Sequence, residues 1–284
     1  MNKSIDFAGA EGCIQESIQE TVTLPVRRRP CVAIALDLLK RSKYLLFQEK
    51  CRVCQRFIHP ELAGMDLNTF RPPATCAFEE KEVSCESICR VCWLMIQATE
   101  PVRSRYELIV SGGEIDYLTV TSAVNFTGEV KSLIYKFKYD GDLLLARDLA
   151  LLSLPAWQKL AKEIDLASTY VIPVPLHPSR LRQRGFNQSE LLAKHLSRFF
   201  KIKLLRNALT RVKKTSCQQA LGKQQRMNNV RNAFRAYNRL IEGKHMLLLD
   251  DVLTSGATLM ECAKSLREAG AASTTAFTIA RVEL

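Results

Sequence analysis

The chain is 284 residues long, room for one large domain or two smaller ones. It is 47% apolar and 25% charged, an ordinary globular balance, and it contains no run of about 18 apolar residues, which argues against insertion in a membrane. Lys and Arg number 41 against 29 Asp and Glu, a net charge of +12. That balance favours anionic partners (phosphates, nucleotides or nucleic acid) or else a solvated basic surface.

Residues 1–30 read as a flexible leader ending in Arg27, Arg28, Arg29 and Pro30. Acids at Asp6, Glu11, Glu16 and Glu20 replace the basic start and apolar core of a secretory signal, so a cytoplasmic location is expected. Val32 to Phe47 is helix-like. A cysteine-rich region runs from Cys51 to Cys92, with a loop-like stretch around Gly64, Pro72 and Pro73. Ten cysteines are many for a reducing compartment, and four of them form near-identical pairs, Cys51-Arg-Val-Cys54 and Cys89-Arg-Val-Cys92. Thiolates two residues apart can grip one tetrahedral ion, and two pairs complete four ligands, so structural Zn²⁺ is expected in a small zinc-ribbon-like module. The 34 residues between the pairs exceed the usual ribbon spacing. His59, Cys76 and Cys85 in that insert offer another ligand set, and redox chemistry of the CxxC pairs is the rival use.

From Ile115 onward strands and helices alternate, which predicts a parallel α/β sheet flanked by helices. Strands are expected over Tyr117–Phe126, Tyr170–Val174, His245–Leu249 and Ser273–Ala280. Helices are expected around Val130–Phe137, over Asn187–Phe200 with a capping-box start at Asn187 and Glu190, and over Thr258–Ala269 with Gly270 as its stop. Residues 212–229 are polar without a clean period and read as a flexible loop. The chain thus divides into 1–30 (leader), 31–110 (helix plus cysteine module) and 111–284 (α/β domain).

The most informative stretch runs from Met246 through Asp250 and Asp251 to Thr258. An apolar strand leads into two acids, then a turn with Thr254, Ser255, Gly256 and Ala257, then a helix opened by Thr258. Glycine allows a tight turn and close approach of a ligand, and the unpaired amides of a helix start suit a phosphate. The acids repel phosphate but accept hydrogen bonds from sugar hydroxyls. The stretch resembles, at every position, the signature of type I phosphoribosyltransferases for phosphoribosyl pyrophosphate (PRPP). The resemblance implies that Asp250 and Asp251 hold the ribose hydroxyls and that Thr254 to Thr258 wraps the 5′-phosphate.

A second stretch, Ile172 to Ala193, reads IPVPLHPSRLRQRGFNQSELLA and carries Arg180, Arg182 and Arg184, whose forked guanidinium groups match phosphate oxygens. Further elements are Lys136-Phe-Lys138-Tyr139-Asp140-Gly141-Asp142 and a stretch holding Thr215, Gln218, Leu221, Arg226, Asn229, Ala233 and Phe234. Together with the cysteine pairs they resemble the ComF/GntX family over about residues 45–281. The resemblance implies a type I phosphoribosyltransferase fold and an association with natural competence. It also implies catalytic roles for Asp250, Asp251, Arg182 and Arg184 at a Mg²⁺-bound pyrophosphate, PRPP contacts from Arg180 and Lys138, with Lys136 approaching the same pocket, and a lid at 212–229. The rival is a PRPP- or nucleotide-binding module without turnover, meeting single-stranded DNA or a competence helicase. Cys217 and Cys262 are expected to be incidental or packed.

Overall fold

The computed structural model describes residues 50–58, 87–97, 99–110, 113–215, 223–237 and 239–283. The leader, the helix-like stretch to Phe47, the insert with His59, Cys76 and Cys85, and Cys217 lie outside the described residues.

Strand β7, His245–Leu253, is the centre of the architecture. Its unbroken apolar run is what a strand buried on both faces requires. Successive residues point to opposite faces: Leu247 and Leu249 enter one core with Phe277 and Ile279, while Met246 and Leu248 enter the other with Ile172 and Ala276. Around it stand β1 (Val102–Ile109), β2 (Ile115–Asn125), β3 (Thr169–Pro173), the short β4 (Lys203–Leu204) and β8 (Ser273–Arg281), in the order β1-β2-β8-β7-β3-β4. β1 pairs antiparallel with β2, and every other neighbour in this sheet is parallel.

One face is covered by α1 (Arg90–Gln97), α2 (Gly128–Tyr135), α3 (Leu145–Leu152), α4 (Leu154–Ala161) and, after the site-bearing α5 (Pro178–Arg184), by α6 (Gln188–Phe200). Trp157 of α4 anchors that core edge-on to Phe277 at 4.8 Å and to Phe200 at 5.3 Å. The other face is covered by α7 (Lys223–Val230), the hairpin β5–β6 (Leu209–Arg211 with Phe234–Ala236) and α8 (Ala257–Glu268).

The parallel sheet flanked by helices is as expected, but several local expectations change. Asn187 does cap α6, its side chain accepting from Ser189 N at 3.1 Å, whereas Glu190 turns away to Arg206 at 3.3 Å. Part of the expected loop at 212–229 is helix α7, whose sequence KQQRMNNV lacks an apolar stripe for a periodicity reading to catch. β1 lies on the cysteine-module side of the division expected at 110/111, yet it pairs with β2 from Val102 to Ile109 and so belongs to the sheet. Cys51, Cys92, Trp93 and Ile96 share the core of α2, α3 and α4. Among the described residues, no helix is long and apolar enough to cross a membrane.

Candidate phosphate-binding cleft and cysteine centre

β7 ends where its two acids begin, and Gly256 turns the chain into α8. Gly256 has φ +76°, a left-handed conformation that L side chains rarely adopt. A Cβ there would also lie 2.8 Å from the ring of Tyr106 on β1. Gly256 is the N-cap of α8 and has no side chain to close off the helix's first amides. Ser255 Oγ accepts from Ala257 N at 3.5 Å and so braces the turn from inside.

The two acids differ. Asp250 Oδ1 accepts from Ser189 Oγ at 2.8 Å and from Asp251 N at 2.9 Å. Burial, and then the neighbouring Asp251 carboxylate, push Asp250 up to about 7, against the pull of Lys138, Ser189 and the Asp251 N–H. Asp251 is 3% exposed, and its partner is the ammonium of Lys138, 2.9 Å from each carboxylate oxygen. Lys138 sits in a π-helical turn, Lys136–Asp140, that continues α2 and is closed by Gly141 at φ +70°.

β3 supplies the facing wall. Its chain runs through Val174, Pro175 and Leu176 to α5, with Pro178 at the first helical turn and His177 Nδ1 capping Ser179 N at 3.2 Å. A cleft of about 470 Å³ is lined by Arg180, Arg184, Lys138, Asp250, Asp251 and the loop Thr254, Gly256, Ala257 and Thr258. Arg182 does not line it and is exposed. On a helix, residues four apart share a face and residues two apart do not, so Arg180 and Arg184 turn inward together and Arg182 turns out. The catalytic place expected for Arg182 is therefore corrected. Arg184 donates to Gln188 Oε1 at 2.6 Å and lies 5.3 Å from the Tyr139 ring centroid. Lys136 is also corrected: its ammonium donates to Arg52 O at 2.5 Å, in the cysteine region.

Sequence reasoning missed Arg211. It comes from β5, lines the same cleft and stacks 5.3 Å from the Phe234 ring. Burial, the largest influence, holds its guanidinium below the usual range, and its Nε has no hydrogen-bond partner. Nothing at residue 211 resembles a motif; only the β5–β6 hairpin brings it here.

The two cysteine pairs converge as expected. The sulfurs of Cys51, Cys54, Cys89 and Cys92 all lie within 4.8 Å of one another, with Cys54 and Cys89 3.8 Å apart. Zinc–sulfur bonds of about 2.3 Å would set sulfurs about 3.8 Å apart in a tetrahedron, so the donor set fits a metal such as zinc. Backbone N–H groups of Val53 and Cys89 donate to Cys51 Sγ at 3.4 and 3.3 Å, as thiolate ligands require. At Cys54 burial works upward, but the Arg56 N–H and the neighbouring thiols outweigh it and bring the group to about 7. The centre is tied to the domain by Arg52 Nε to Asp142 Oδ2 at 2.7 Å, and by the Ser87 hydroxyl and N–H to buried Asp148. Cys262 is buried in α8, and burial raises its thiol well above the ordinary value, consistent with a packing role.

No family model matches the chain. It is 37% identical over 142 residues to "Competence protein F" of Haemophilus influenzae, covering 49% of this chain and 62% of that one. It is 31% identical over 163 residues to "DNA utilization protein YhgH" of Salmonella typhi, covering 57% and 71%, and 30% identical over 172 residues to "Competence protein ComFC" of Bacillus subtilis, covering 56% and 63%. The chain spans about half to two thirds of the length of the first curated relatives it matches. Solved structures similar to it include the glutamine PRPP amidotransferase of B. subtilis, TM-score 0.29 at 19% identity over 47% of this chain and 26% of that one. Another is the orotate phosphoribosyltransferase of Mycobacterium tuberculosis, TM-score 0.29 at 11% identity over 67% and 94%.

Proposed function

The chain belongs to the ComF family, and on that premise we propose that its cleft binds PRPP and transfers the phosphoribosyl group to an acceptor, in the service of DNA uptake or use. One observation carries the reading: two adjacent acids, a glycine turn at a helix start and the guanidinium groups of Arg180 and Arg184 meet in one cleft.

Each part has a task. The loop Thr254–Thr258 offers amides and hydroxyls to the 5′-phosphate. Asp250 and Asp251 accept from the ribose hydroxyls, and the ammonium of Lys138 holds Asp251 in place. Arg180 and Arg184 face the charge that grows on the departing pyrophosphate, with Arg211 beside them. Mg²⁺ takes oxygen ligands and is held through one or two carboxylates plus substrate phosphates; Asp250 supplies such a group, and the ion would neutralise the leaving charge. The protein's own work is positioning and electrostatics, because the transfer needs no covalent intermediate. The cysteine centre, with one Zn²⁺, is structural.

The names of the relatives concern competence and DNA utilization, and the +12 charge suits a polyanion. They favour, as a second reading, a module that binds PRPP or a nucleotide without turnover and meets single-stranded DNA or a competence helicase. Pyrophosphate release separates the two. Protein incubated with PRPP and Mg²⁺ should release pyrophosphate with a purine, pyrimidine, amine or DNA acceptor. Tight PRPP binding with no release from any of them would leave only the second reading.

A further inference from the structure

The positive charge of this chain is not spread evenly. Between Leu191 and Ile241 the sequence carries thirteen Lys and Arg and no Asp or Glu, so the remainder of the chain is close to neutral. The fold wraps that stretch round one edge of the sheet. α6 lies on one face, with Leu192, Leu196 and Phe200 in its core. β4 is the edge strand. The hairpin β5–β6 lies on the other face, with Leu209 and Phe234 in the second core.

The side of α6 turned away from the core is a stripe. Glu190, Lys194, Arg198 and Lys201 recur at intervals of four, four and three, which sets them along one helix face. Glu190, the helix's one acid, lies 3.3 Å from Arg206 and is thereby covered. Arg198, Lys201 and, on β4, Lys203 are exposed. His195 registers how closely the cations stand: burial first, then Arg147, Arg198 and Lys194, bring its imidazole down to about 4. Among the described residues of α6 and β4 no large apolar side chain is exposed, so this surface offers charge alone. A membrane-surface helix would set apolar groups beside its cations, and a base-stacking groove would set rings there. A phosphate backbone needs neither.

The first turn of α6 meets the cleft: Gln188 lines it, and Ser189 donates to Asp250. From there to Lys201 the stripe runs about 20 Å. Beyond the sheet edge the stretch continues in Lys213 and Lys214, exposed after β5. A duplex, stiff over about 150 base pairs, does not bend round such an edge, whereas a single strand does. We propose that this edge of the sheet, from α6 through β4 to the hairpin, is a track for the backbone of single-stranded nucleic acid, with one end at the cleft. The proposal rests on the reading that the chain meets single-stranded DNA, and it holds with or without turnover in the cleft.

Fluorescence anisotropy with labelled oligothymidylate over a range of salt reads the contacts. Arg198→Gln/Lys201→Gln/Lys203→Gln should weaken binding about tenfold or more at low salt. It should also make the slope of log affinity against log salt shallower by about 2, the counterions of three phosphates. Arg198→Lys, which keeps the charge, should keep the slope. Arg105→Gln/Lys159→Gln/Lys162→Gln removes the same charge from exposed positions outside the stretch and should keep it too. Both triple variants should retain the parent's melting temperature and ribose 5-phosphate affinity. A duplex of the same length should bind the parent more weakly than the single strand. Equal slopes in the two triple variants, a preference for the duplex, or a loss seen on phosphatidylserine vesicles and not on oligothymidylate overturns the track while leaving DNA binding in place. A parent that binds no oligothymidylate at low salt sinks the track and the DNA reading together.

Discussion

The ammonium of Lys138 lies 2.9 Å from each carboxylate oxygen of Asp251, an acid only 3% exposed at the end of the central strand. A carboxylate so covered depends on its cation, and removing one partner of a buried pair typically costs about 3–5 kcal/mol. Lys138→Met should lower stability to urea by that order. A loss within about 0.5 kcal/mol, the range of an ordinary surface substitution, would show that the pair does not hold the end of the strand.

Asp250 carries its own pH signature. Its folded value is about 7, against about 3.9 in an unfolded chain. Between those values the folded protein holds a proton that the unfolded chain has lost, so this group makes stability fall as pH rises through the window. Asp250→Asn removes that slope. Relative to the parent, the variant should gain on the order of 1–2 kcal/mol between pH 5 and pH 8 in urea unfolding. Ligand binding runs the opposite way, because the ionised acid is the better acceptor: ribose 5-phosphate should bind the parent more weakly at pH 6 than at pH 8. Parallel stability curves for parent and variant would refute the shift.

The face of α5 sorts its arginines. Arg180→Ala and Arg184→Ala should each weaken PRPP binding about tenfold or more, the scale of a lost hydrogen bond to a charged group. Arg182→Ala should change it less than about twofold, the effect of an exposed surface position. Calorimetry on the three single variants checks this, and an Arg182→Ala loss as large as the other two would contradict the helical geometry.

Elemental analysis of protein purified without chelator should give near one zinc per chain, and Cys54→Ser should lower it. Because Cys51, Cys92, Trp93 and Ile96 sit in the main core, chelation should lower the melting temperature of the whole α/β domain, not of a separate small transition. Native protein that carries no metal would end the assignment.

The turn from β7 into α8 was legible because all its parts are contiguous: strand, acids, glycine and helix start fall within residues 246–258, each with its own chemical cue. The cysteine centre was legible because its two knuckles are near-copies. Arg182 was misplaced because alternate arginines after a strand look equivalent until Pro178 and the His177 cap turn them into a helix. Arg211 was invisible because its importance comes from a tertiary hairpin. β1 was passed over although Arg103, Arg105 and Glu107 alternate with less exposed positions, the period of a strand open to water on one face.

Tyr106 against Gly256 bears on where the molecule can be cut or varied. The ring occupies the flank of the glycine, so the shape of the loop Thr254–Thr258 is held in part from the far edge of the sheet. A chain begun at residue 111 would lose β1, turn β2 into a bare sheet edge open to pairing with another molecule, and leave a ring-sized void beside the loop. Residues 106 and 256 should accordingly vary as a pair. A smaller side chain at 106 would give the loop freedom that no change within the loop itself would have announced.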